Sequence, residues 1–80
     1  MTREELLRRL EEEGVDRGAF DLEGTQQDEV YCLERRPTGW VYYYRERGIH
    51  RDERVFTSEG EAARHFLDRV LRDPTTRVRR

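Results

Sequence analysis

Residues 40–44 read Trp-Val-Tyr-Tyr-Tyr, and this run constrains the fold more than any other part of the chain. Consecutive strand residues point to opposite faces, so Trp40, Tyr42 and Tyr44 share one side while Val41 and Tyr43 take the other. A strand with large side chains on both faces belongs in the middle of a sheet. Residues 29–35 form a second strand around Val30, Tyr31, Cys32 and Leu33. Arg36-Pro37-Thr38-Gly39 between the two is a turn cluster, which predicts an antiparallel hairpin. A third strand is expected over residues 53–57, around Val55 and Phe56, after a turn over residues 48–52.

Helices flank these strands. Thr2 and Glu5 fit a capping box that opens a helix over residues 3–13, with Leu6, Leu7 and Leu10 on one stripe and Gly14 as its stop. Ser58 and Glu61 open a second helix, whose broad apolar face carries Ala62, Ala63, Phe66, Leu67, Val70 and Leu71. Asp73-Pro74 ends it. Residues 19–22 alternate apolar and polar once and read as an edge strand or as loop. The expected fold is an α+β two-layer sandwich in which a three- or four-stranded antiparallel sheet lies between two helices in chain order. Both helices are expected on one sheet face. Residues 1–74 form the single domain, and residues 75–80 a flexible basic tail.

Charge narrows the function classes. Charged residues make up 42% of the 80-residue chain, against 34% hydrophobic. All 16 basic residues are arginine, and 18 acids leave a net charge of −2. A nucleic-acid domain depends on phosphate contacts and normally carries a basic excess, which is missing here. No apolar run approaches the roughly 20 residues of a membrane span. The acidic, helical N-terminus does not resemble a signal peptide, so the expected location is cytoplasmic.

Catalytic patterns are absent from the sequence. A lone cysteine, Cys32, sits mid-strand and reads as a structural thiol. His50 falls in a turn and His65 on the polar helix face beside Glu61; neither has a nucleophile or acid at a recognisable spacing. One cysteine and two distant histidines do not make a zinc site, and no glycine-rich phosphate loop occurs. The expectation is a non-enzyme without metal or cofactor. The aromatic strand instead suggests binding through the sheet face away from the helices. Tyr42, Tyr43 and Tyr44, with Arg35, Arg45 and Arg47, have the chemistry of interface anchors. The acidic stretch over residues 21–29 is the second candidate surface, and a homodimer is compatible with the modest core. The alternative is a small RNA- or DNA-binding module that stacks bases on the aromatic and arginine face.

Several segments also carry a family resemblance. Gly14-Val15 with Gly18-Ala19-Phe20-Asp21-Leu22-Glu23-Gly24 is similar to a GV..GAY.L.GG opening. Asp28-Glu29-Val30-Tyr31-Cys32-Leu33, Trp40-Val41-Tyr42-Tyr43-Tyr44-Arg45-Glu46-Arg47-Gly48 and the stretch from Glu53 to Ala62 continue it. Together they resemble small actinobacterial immunity proteins of polymorphic toxin systems, some of which stand beside NAD-glycohydrolase toxins. Tyr44 and Gly60 depart from that pattern, which expects a small polar residue and an acid there. The resemblance implies stoichiometric inhibition of a cognate toxin domain, with no chemistry of the protein's own.

Overall fold

The computed structural model describes residues 1–77. Helix α1 (Arg3–Glu12) begins where Thr2 Oγ1 accepts the Glu5 backbone N–H at 3.2 Å, and the chain reverses through Gly14 at φ +75°. A 3₁₀ turn over Arg17–Ala19 leads into β1 (Phe20–Asp21). Strands β2 (Val30–Arg36), β3 (Gly39–Glu46) and β4 (Ile49–Phe56) follow, then helix α2 (Glu59–Arg72) and a second 3₁₀ turn over Pro74–Thr76. The sheet order is β1-β2-β3-β4. Both helices feed one core on the sheet face that carries Phe20, Leu33 and Tyr42; Leu6, Leu10, Phe66 and Val70 are fully enclosed there. Leu71, expected in that core, is only half-buried at its margin.

Three expectations change. The sheet is mixed, because β1 runs parallel to β2, pairing Phe20 with Tyr31 and Asp21 with Cys32. A hairpin would have reversed the chain, but residues 22–29 carry it back before β2 starts, with Leu22 against the helix-side core and Gly24 and Gln26 beside Tyr43 on the other face. Asp21 holds that connection, accepting hydrogen bonds from Glu23 N (2.9 Å), Thr25 Oγ1 (3.0 Å) and Gln26 N (3.1 Å). Burial works to raise the Asp21 carboxyl, but these donors outweigh it and hold the group below its ordinary value.

Second, β4 starts at Ile49 rather than at residue 53. Arg47 and Gly48 both have positive φ (+51° and +77°), the signature of a two-residue type I′ hairpin turn. The polar stretch after it hides its strand character, because an edge strand needs only backbone pairing to β3. An extra residue near Asp52 (φ +54°) interrupts that pairing between Tyr42 and Tyr44.

Third, the chain remains anchored beyond residue 74. Thr76 is 3% exposed, its hydroxyl donates to the Val70 and Asp73 carbonyls, and its own carbonyl accepts Asp16 N at 2.7 Å. Val15 and Arg77 form an isolated antiparallel bridge. Closing the core beneath Val15 fixes residues 75–77, so the expected flexible tail does not begin at 75; residues 78–80 lie outside the described residues.

Candidate functional site

Alternation along β3 divides the aromatic run as period two requires, but neither face displays it openly. Tyr42 is 1% exposed under α2, edge-on to Phe66 and His65. Tyr43 points the other way and is 6% exposed. It packs with Val30, Cys32 and Val41, donates to Glu34 Oε2 at 3.0 Å, and is covered by the stacked ring of His50 at 3.7 Å. Gly24 and Gln26 of the returning loop border the same depression. The expected binding face of outward tyrosines is therefore closed: its one tyrosine is occupied by intramolecular contacts.

The remaining candidates scatter. Arg35 lies over the Trp40 ring at 5.6 Å, at the far end of the hairpin. Arg45 donates to Asp28 Oδ1 at 3.1 Å, and the same oxygen accepts the Gly48 N–H. Arg47 is exposed at the tip of the β3–β4 turn. Tyr42 and Tyr43 cannot act with Tyr44 as one surface, since Tyr43 faces away and Tyr42 is enclosed.

Tyr44 instead helps build a cleft of about 260 Å³ at the end of the sheet where β2 begins. Its ring meets Tyr31 edge-to-face, with centroids 4.8 Å apart. The rim comes from both 3₁₀ turns and the start of β2, and brings Asp16, Glu29 and Asp73 around the two tyrosines. No basic side chain lines it among the described residues. Arg51, opposite Tyr44 in the register, is drawn to Glu46 at 3.6 Å.

Hydrogen bonds fix the walls. Tyr31 Oη donates to Asp73 Oδ2 at 2.9 Å, a contact between residues 42 positions apart. Asp73 Oδ1 accepts Thr75 N (3.0 Å) and Thr75 Oγ1 (2.6 Å), and Asp16 Oδ1 accepts Gly18 N at 2.7 Å. The Thr75 hydroxyl is the main influence holding the Asp73 carboxyl below its ordinary range; burial opposes it, and the Thr75 amide and Tyr31 hydroxyl add to it. Burial first, then the bond to Asp73, pushes the Tyr31 hydroxyl far up. Burial and the charges of Glu29, Glu46 and Asp73 raise Tyr44. At neutral pH the cleft therefore combines the neutral phenols of Tyr31 and Tyr44 with the ionised carboxylate of Asp73.

The groups with catalytic potential lie elsewhere. His50 Nδ1 stands 3.8 Å from Glu53, too far for a hydrogen bond. His65 rests against Tyr42 and Phe56, with Nε2 enclosed and without a partner. Burial, with Arg54 and Arg69 nearby, lowers its pKa. Burial, reinforced by the charge of Asp21, pushes the Cys32 thiol up to about 11. Among the described residues no three His, Cys, Asp or Glu side chains are grouped to hold a metal ion, and no helix is long and apolar enough to cross a membrane.

Sequence reasoning had marked Tyr44 and Glu29 but missed Tyr31, Asp16 and Asp73 as site residues. Asp73 carried only a helix-ending signal, and nothing local announces a partner in β2.

The fold and cleft define an α+β protein with a small acidic, aromatic recess. No family model, curated protein or solved structure matches the chain.

Proposed function

We propose that the protein acts by stoichiometric binding to another protein, as an immunity partner that neutralises a bacterial toxin domain in the cytoplasm. One observation carries this reading: the only tyrosines left partly open by the central strands, Tyr31 and Tyr44, converge in one recess rimmed by carboxylates. Tyrosine anchors held rigidly by packing lose little conformational freedom on binding. Unbalanced carboxylates beside them favour a partner with a basic patch and speed its association. The contact surface is this end of the sheet, with Arg47 on the neighbouring turn, in place of the covered face around Tyr43. Catalysis and cofactors have no part in this reading; the partner is a toxin domain, with the NAD-glycohydrolase type as the first to test. Base stacking on the sheet is less well supported, because His50 covers the outward ring.

The test is co-expression with candidate toxin domains, beginning with one of NAD-glycohydrolase type. Growth should be rescued, and a 1:1 complex should appear by light scattering. Tyr44→Ala should abolish rescue with the fold retained by circular dichroism, whereas Arg35→Ala should not. Absence of both rescue and complex would remove the proposal.

A further inference from the structure

We infer that the Tyr31–Tyr44 cleft is a receptor for a single arginine side chain presented by the partner protein. This rests on the binding reading above and specifies what enters the site.

Size comes first. At about 260 Å³ the cleft falls below the roughly 300–1,000 Å³ of small-molecule and cofactor pockets, so it suits one side chain better than a free ligand. Charge comes next. Asp16, Glu29 and Asp73 surround it, and among the described residues no basic side chain lines it. They are not grouped closely enough to chelate a metal ion, so the complementary charge has to be spread over several donor positions. Aromatic walls make the choice between cations. A guanidinium is planar, lies against a tyrosine ring, and directs its N–H groups outward in its own plane toward several acceptors at once. An ammonium is a compact, strongly hydrated point charge that does neither as well. Asp73 is prepared for the role. Three hydrogen bonds hold it in place, so little ordering remains to be done on binding.

Blocked arginine (N-acetyl-arginine methylamide), titrated against the isotope-labelled protein by NMR, tests this without any toxin. Saturable shifts are expected at the amides of Glu29, Tyr31, Tyr44 and Thr75, with a Kd on the order of millimolar for one unassisted side chain. Blocked citrulline, nearly the same shape without the charge, should bind at least about fivefold more weakly, as should blocked lysine. Glu29→Gln should weaken arginine binding about threefold or more with the thermal midpoint unchanged. No saturation by about 50 mM, equal binding of citrulline or lysine, or shifts mapping away from the cleft would overturn the assignment. Failures of the two proposals are separable. A toxin complex that ignores both Glu29→Gln and Tyr44→Leu refutes the arginine cleft and leaves the neutralising role standing. Arginine binding without any toxin complex does the reverse.

Discussion

Tyr31→Phe deletes one hydroxyl and leaves the ring that packs on Tyr44 and Tyr42. The hydroxyl donates to Asp73 Oδ2 at 2.9 Å and so ties the middle of the sheet to the end of α2. Hydrogen bonds to charged groups contribute about 1.5–3 kcal/mol. Two features move this one to the lower end or slightly beneath. Asp73 is only half-buried, so water can replace the lost donor, and its other oxygen keeps both Thr75 bonds. A loss of about 1–1.5 kcal/mol follows, which in a domain of this size lowers the thermal midpoint by roughly 4–8 °C per kcal/mol. The loss should depend on pH. Asp73 titrates lower in the folded state than its ordinary 3.8, so its stabilisation is complete above that value and disappears as pH falls through the folded one. The gap between variant and parent should therefore be full at neutral pH and narrow in acid below about 3.8. Urea unfolding followed by circular dichroism and Trp40 fluorescence, across that pH range, measures it. An Asp73→Asn background should shrink the effect of Tyr31→Phe. A gap below about 0.3 kcal/mol at neutral pH, or one that is constant into acid, would refute the coupling.

Other outcomes follow from the same packing. Gly39→Ala should cost at least about 2 kcal/mol, because Gly39 sits at φ +146° and a Cβ there would collide with the Phe56 carbonyl; urea midpoints report it. His65 titrates below its ordinary 6.5, so stability should be complete above that pH and fall as pH drops from there toward the folded value, a slope that His65→Leu should flatten. The Cys32 thiol, enclosed and pushed up to about 11, should resist thiol reagents at pH 8 until urea unfolds the protein. Reaction of the folded protein at the rate of a free thiol would contradict its burial.

Elements whose signals are local were legible in the sequence. Both N-caps, the Gly14 stop, the β2–β3 hairpin and the core positions Leu6, Leu10, Phe66, Leu67 and Val70 were readable from spacing alone. Features set by distant partners were not. Phe20–Asp21 is short enough that only pairing with Tyr31 and Cys32 decides its direction. Thr75 and Thr76 look like the start of a polar tail until Val15 and Asp16 are placed beside them. The site was half visible for the same reason. Tyr44 stood out as an unusual strand residue, but its usefulness depends on Tyr31 being beside it and on Tyr43 being covered, and composition encodes neither.

The two margins of the sheet are exposed very differently. Along β1 only Phe20 and Asp21 are paired, too few to template another strand. Along β4 eight residues have no strand partner on their outer side among the described residues, with Ile49 57% and Val55 64% exposed. Such an edge invites other chains to add to it. Here the kink at Asp52 breaks the straight run, and Arg51, Asp52, Glu53 and Arg54 place charge between the two apolar positions. Two molecules meeting edge to edge in antiparallel fashion about the centre of that stretch would set Arg51 against Arg54 and Asp52 against Glu53, like charge facing like. The segment whose first half reads from the sequence as a turn thus acts as a guard rail against edge-to-edge pairing between crowded copies.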